Sequence, residues 1–168
     1  MERFVIEVDD PRRADVRALL EAHLAFARST TPAENVYALD LEGLLDPAIT
    51  FFSVRSDGEL LGVGALKQLD PEHVELKSMH TAQAARRRGV GRALVDHLIA
   101  TAAARGARRV SLETGTAAAF EPARALYASE GFVPSGPFGD YVETPDNTFM
   151  TRVLGQDENL PASIPSRD

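Results

Sequence analysis

Two hydrophobic periods alternate along this chain, and the places where one gives way to the other mark its elements. Phe4 to Val8 alternates at period two, as a half-buried strand does. Asp10-Pro11 then reads as an N-cap followed by proline at the first helical position. Val16, Leu20, Leu24 and Ala27 fall on one face of the helix that follows, and Thr31-Pro32 ends it. His23 neighbours that face and reads as a packed, hydrogen-bonded ring. Tyr37, Leu41, Leu44 and Leu45 are spaced for a short helix over Asn35 to Leu45. Ile49 to Val54 and Leu60 to Leu69 form two strands joined through Asp57-Gly58, a hairpin signal. Gly62 and Gly64 bare one face of the second strand, so a helix or a ligand approaches closely there. Asp70-Pro71 turns the chain into a strand over His73 to Thr81.

Helical period resumes with Val90, Leu94, Val95, Leu98, Ile99 and Ala102, and Gly106 stops it before the strand Arg109 to Glu113. Strand, helix and strand in that order form a right-handed crossover, which makes the two strands parallel. Phe120 to Glu130 is helical, with Pro122 in its first turn and Gly131 at its end. Phe132-Val133 begins a short strand, Pro134 to Asn147 is a loop, and Thr148 to Leu154 is the last strand. Residues 1–154 make one domain, and residues 155–168, without periodicity, make a frayed tail.

The junction between His73–Thr81 and the following helix carries chemistry. Arg86-Arg87-Arg88-Gly89-Val90-Gly91-Arg92-Ala93 puts four arginines in seven residues around two glycines spaced i and i+2. The glycines let the backbone turn and present bare N–H groups. The first turn of the helix adds unpaired donors and the positive end of a dipole, so the junction suits a pyrophosphate. It is not a Walker-type loop, because no Gly-Lys-Ser/Thr follows. It is a poor dinucleotide fingerprint, because Leu94 stands where a third glycine belongs. A solvated basic helix start and a nucleic-acid patch are the remaining readings.

The bulk composition narrows these. At 168 residues, 44% hydrophobic and 26% charged, the chain has the make-up of one globular domain. A net charge of −7 argues against general nucleic-acid binding. With no cysteine there is no disulfide, no thiolate metal ligand and no cysteine acyl-enzyme. No metal is expected. Without an apolar leader or a membrane-length apolar run, a cytoplasmic location and no membrane partner are expected.

These residues together resemble the GNAT superfamily of N-acetyltransferases. The family loop pattern Arg/Gln-x-x-Gly-x-Gly/Ala stands here as Arg86-Arg87-Arg88-Gly89-Val90-Gly91. Its second signature, an alanine, a tyrosine four residues on and then Gly-Phe, stands as Ala123, Tyr127 and Gly131-Phe132. The resemblance covers His73 to Val133. One departure is Phe120, where many members carry an asparagine.

The resemblance implies an α/β (α+β) fold: a mixed, mostly antiparallel sheet of about six to seven strands with one parallel βαβ crossover and about four helices. It implies acetyl-coenzyme A as cosubstrate. The loop from Arg86 through Val90 and Arg92 to Ala93 would hold its pyrophosphate. The backbone around Met79, His80 and Thr81 would pair with its pantetheine amides. That pairing needs a splayed or bulged strand. The acceptor implied is a small-molecule amine, attacked directly in a ternary complex, by a monomer or homodimer.

Transfer needs a neutral amine, so a group must accept a proton near pH 7. Glu75 lies four residues before Met79, about 13 Å along an extended strand. It is either that base or a strand carboxylate paired with Lys77. His80 is a second candidate, on the opposite face from Glu75 if the strand is regular. Tyr127 is the candidate acid for the departing thiolate, since a phenol with a pKa of about 10 stays protonated at neutrality. Asn35, Tyr37 and Asp40, with Phe138, Asp140, Tyr141 and Glu143, would shape the acceptor pocket. The alternative to an enzyme is a catalytically silent coenzyme A-binding sensor, for which Phe120 is the sequence support.

Overall fold

In the computed structural model, residues 3–30 and 41–155 are described. Seven strands form one sheet: β1 (Val5–Val8), β2 (Ile49–Ser56), β3 (Glu59–Asp70), β4 (His73–Thr81), β5 (Arg109–Gly115), β6 (Val133–Ser135) and β7 (Asn147–Val153). Their order across the sheet is β1-β2-β3-β4-β5-β7-β6. Every neighbouring pair is antiparallel except β4 with β5, which the crossover makes parallel. The β2–β3 hairpin turns on Asp57 (φ 51°) and Gly58 (φ 81°), the two left-handed residues such a tight turn requires.

Three α-helices occur among the described residues: α1 (Ala14–Thr30), α2 (Val90–Ala104) and α3 (Glu121–Ser129). The helix expected from Pro11 begins later. The Asp10 carboxylate accepts the Arg12 N–H at 2.9 Å and the Asp10 carbonyl accepts that of Arg13, closing a separate turn. The first helical bond therefore runs from Arg17 N to Arg13 O at 2.8 Å. Of the helix expected over Asn35 to Leu45, residues 35–40 lie outside the described residues. Its far end is a single 3-10 turn, Gly43–Leu45, with Leu44 buried.

The sheet has two different faces. On one, α2 and α3 bury Val54, Leu66, Val74, Leu76, Val110 and Leu112 against Leu94, Leu98 and Tyr127. Gly62 and Gly64 serve this packing. A Cβ on Gly62 would lie 3.0 Å from Val90 Cγ1, and one on Gly64 would lie 2.5 Å from Met79 Sδ and 2.9 Å from Leu94 Cδ2. The close approach anticipated there is that of helix α2. On the opposite face, Val16 of α1 and Leu44 cover Phe51, Val63 and Ala65.

Two irregularities in β4 position the site. Its pairing with β5 stops at Leu76↔Leu112, although both strands run on, so the two diverge beyond that point. Against β3, the register jumps from Val63↔His80 to Ala65↔Lys77. Ser78 takes up the extra residue with φ 54°. This bulge reverses the alternation of side chains. Met79 joins the α2 face, while His80 turns toward α1 and meets His23. The regular-strand expectation for His80 therefore fails: it shares a face with Glu75.

Candidate active site

The loop before α2 has the backbone of an anion cradle. A 3-10 turn, Gln83–Ala85, leads into extended Arg86, then Arg87 (φ 65°) and Gly89 (φ 82°) enter the left-handed region. Alternating conformations of this kind turn successive N–H groups inward. The first bond of α2 is Ala93 N to Gly89 O at 3.0 Å, so the N–H groups of the preceding turn lie outside the helical ladder. A Cβ on Gly89 would meet nothing within 4 Å, so open space lies over the turn. Arg86, Arg87 and Arg88 are exposed around it.

Arg92 behaves differently. Its guanidinium reaches Glu130 Oε1 at 2.8 Å and Ser129 Oγ at 3.2 Å, fastening the start of α2 to the end of α3. Val90 is buried and anchors the turn over Gly62. Gly91 lets Leu126 of α3 approach, since a Cβ there would lie 3.1 Å from Leu126 Cδ2.

Where β4 and β5 part, β4 from Lys77 to Thr81 has no ladder partner on the β5 side among the described residues. Candidate groups lie on both faces of the sheet. From the α2–α3 face comes Tyr127, 7% exposed, its ring edge-on to Phe132 at 5.8 Å. Burial pushes its phenol up to about 12, so it keeps its proton at neutral pH.

On the opposite face, Glu75 (2% exposed) is paired with Lys77. Lys77 Nζ donates to Glu75 Oε2 at 2.9 Å, and the Tyr141 hydroxyl donates to the same oxygen at 2.5 Å. Lys77 Nζ also donates to the Tyr141 hydroxyl. Burial and the bond to Glu75 raise the Tyr141 phenol above its ordinary value. Of the two readings open for Glu75, the ion pair with Lys77 is present in the fold. Tyr141 thereby ties the loop before β7 to the sheet. Phe138 packs on Tyr141 and Phe149 at 5.1 and 5.7 Å between centroids. Asp140 and Glu143 are exposed on that loop. Asn35, Tyr37 and Asp40 lie outside the described residues.

His80 and His23 face each other with Nδ1 atoms 3.1 Å apart. Burial first, then the charges of His23 and Arg86, lower His80 to about 4, and burial lowers His23 too. Both rings are neutral at pH 7.

Sequence reasoning missed Glu113 and Asn147. Glu113 is the first residue of β5 beyond the last pair with β4, on the Glu75 face. Asn147 Nδ2 donates to Glu113 Oε2 at 2.9 Å and to the Val142 carbonyl at 3.0 Å. Burial raises the Glu113 carboxyl, against the Asn147 hydrogen bond and the Lys77 charge, which lower it. The available signal was strand alternation: Ser111 and Glu113 are the polar positions between Val110, Leu112 and the strand end.

Phe120 fills space of its own. Its ring lies over Gly115, where a Cβ would come within 2.3 Å, and stacks edge-on with Phe26 at 5.2 Å.

Comparison with known proteins decides the family. The model of the Acetyltransferase (GNAT) family matches residues 15–132. The chain belongs to the GNAT acetyltransferase family. YsnE of Bacillus subtilis, described as an uncharacterized N-acetyltransferase, is 46% identical over 149 residues, covering 89% of this chain and 99% of that one. A Klebsiella pneumoniae structure assigned as an acyl-CoA N-acyltransferase superposes with TM-score 0.77 at 27% identity, over 90% of this chain and 98% of that one. A GNAT acetyltransferase from Elizabethkingia anophelis with acetyl-CoA bound shares the fold, with TM-score 0.67 at 17% identity, over 90% and 98% of the two chains. This GNAT chain is an acyltransferase. No helix among its described residues is long and apolar enough to cross a membrane.

Proposed function

We propose that this GNAT enzyme transfers an acetyl group from acetyl-coenzyme A to a primary amine of a small molecule, by direct attack within a ternary complex. The observation that carries the reading is the gap between β4 and β5, which begins at Leu76 and Leu112 and runs toward the Gly89 cradle. Acetyl-coenzyme A, when bound, supplies the acetyl group already activated as a thioester. The residues present fit such a molecule. N–H groups outside the helical ladder and arginines gather around an open left-handed glycine, and among the described residues the strand edge at Met79, His80 and Thr81 has no ladder partner toward β5.

Arg86, Arg87, Arg88 and the backbone from Gly89 to Ala93 hold the diphosphate in this reading. Arg92 contributes its N–H, its side chain being engaged by Glu130. Tyr127, protonated and buried, gives its proton to the departing sulfur. Glu75 fixes Lys77 and Tyr141 at the acceptor wall, with both donors on its Oε2. The lack of cysteine favours direct attack over a covalent acyl-enzyme of the commonest kind.

The test is thiol release from acetyl-coenzyme A with a panel of simple amines, amino acids, aminoglycosides and polyamines, run beside calorimetric titration of coenzyme A. Binding of coenzyme A with amine-dependent thiol release is expected. Absence of binding, or release indifferent to every amine, would overturn the reading.

A further inference from the structure

We propose that Glu113 is the carboxylate that takes the proton from the attacking amine, and that Asn147 holds it in place for that step. The inference rests on the acyl-transfer reading above and names the base within it.

Position is the first argument. Glu113 follows Leu112, the last β5 residue paired with β4, so it stands where the two strands begin to part. It lies on the sheet face opposite Tyr127. An amine entering from the Tyr141 side meets Glu113, while the proposed acid serves the sulfur from the helix side. Base and acid are thus separated by the sheet, and neither blocks the other.

Hydrogen-bond capacity is the second. Glu113 Oε2 accepts from Asn147, whereas Oε1 has no hydrogen-bond partner among the described residues. Asn147 is itself fixed, being buried, donating to Val142 O and accepting the Thr144 N–H at 2.7 Å. One oxygen of the carboxylate is oriented and the other is available. Glu75 is more deeply buried, at 2% exposure, and its Oε2 is held by two donors, one of them the Lys77 ammonium. His80 is tied to His23 and held to about 4, too weak a base for this work at neutrality.

The charged and titratable groups facing Glu113 are Glu75 and Lys77 from β4 and Tyr141 from the loop before β7. Burial dominates over them and lifts the proton affinity of Glu113 toward the operating range, as a general base needs. In the step itself an alkylammonium N–H bond breaks. The proton passes to Oε1, and the electron pair left on nitrogen forms the bond to the acetyl carbon. The carbon–sulfur bond breaks with its pair on sulfur, which takes the Tyr127 proton. The adduct nitrogen gives up its second proton to solvent as the amide forms, Glu113 releases its own to solvent, and Tyr127 regains one, so that one proton is released overall.

The experiment combines the pH dependence of turnover, for the amine that the thiol-release screen ranks first, with carbon-13 NMR of the Glu113 carboxyl in the free protein. Glu113→Gln should lower kcat/KM for the amine by about 10²-fold or more and remove the acidic limb of its pH profile. Coenzyme A affinity by calorimetry should be unchanged, and Glu113→Asp should restore the limb at a reduced rate. The Glu113 carboxyl should titrate above ordinary glutamate in the free protein, a readout that needs no acceptor. An acidic limb that survives Glu113→Gln but vanishes in Glu75→Gln would overturn the proposal, as would a Glu113 carboxyl titrating at or below the ordinary value. Failure of the wild-type protein to bind coenzyme A would instead overturn the acyl-transfer reading.

Discussion

Replacing Lys77 by Met should unbalance the acceptor wall while leaving its shape nearly intact. Methionine fills the space of the lysine stem, so little cavity forms. What is lost is the ammonium 2.9 Å from a carboxylate that is only 2% exposed. Removing one partner of a buried pair costs about 3–5 kcal/mol, because the other charge stays buried without its counterion. For a chain of this size, each kcal/mol lowers Tm by about 2–4 °C, so a fall of about 10 °C is expected. Urea denaturation at pH 7 followed by circular dichroism measures the loss, with an unchanged slope confirming that the unfolded state is comparable. The double variant Glu75→Gln/Lys77→Met removes both charges and keeps an acceptor for the Tyr141 hydroxyl. It should recover at least about 2 kcal/mol relative to the sum of the singles. A Lys77→Met protein within about 1 kcal/mol of wild type, or strictly additive singles, would refute a structural ion pair.

Three further outcomes are expected. Tyr127→Phe should slow turnover by about 10²-fold or more with almost no change in Tm, since its hydroxyl has no hydrogen-bond partner among the described residues; an unchanged rate would exclude the acid role. His80, held to about 4 when folded against about 6.5 unfolded, lets the unfolded chain take the proton first, so stability falls as pH drops from about 6.5 through 4 and is unaffected above that window. The loss is about 1–2 kcal/mol after allowance for the ring's partial exposure, and His80→Asn should flatten that part of a stability–pH curve. Gly64→Ala should destabilise the fold by about 1–3 kcal/mol, because its Cβ would press on Met79 and Leu94; a neutral result by thermal melting would mean that α2 can move aside.

The order of elements, the parallel crossover and the glycine turn before α2 were all legible in the sequence. Each depends on local rules: period of burial, glycine at left-handed positions, and the handedness of a strand–helix–strand unit. Tyr127 was legible for the same reason, as a helix position in a recognisable local pattern. The Glu75–Lys77 pairing was partly so, two residues apart on one strand face.

Tertiary structure alone decided the rest. Nothing in His73 to Thr81 announces that Ser78 will bulge, because a bulge arises from the register imposed by β3. That single extra residue sends Met79 toward α2 and His80 toward α1, against simple alternation. The parting of β4 from β5 is likewise a property of two strands, not of either one. The meeting of Glu113 with Asn147, or of Tyr141 with Glu75, joins residues 34 and 66 positions apart. Local periodicity assigns a side chain to a face. Only the packed sheet determines which other side chains share that face within hydrogen-bonding distance.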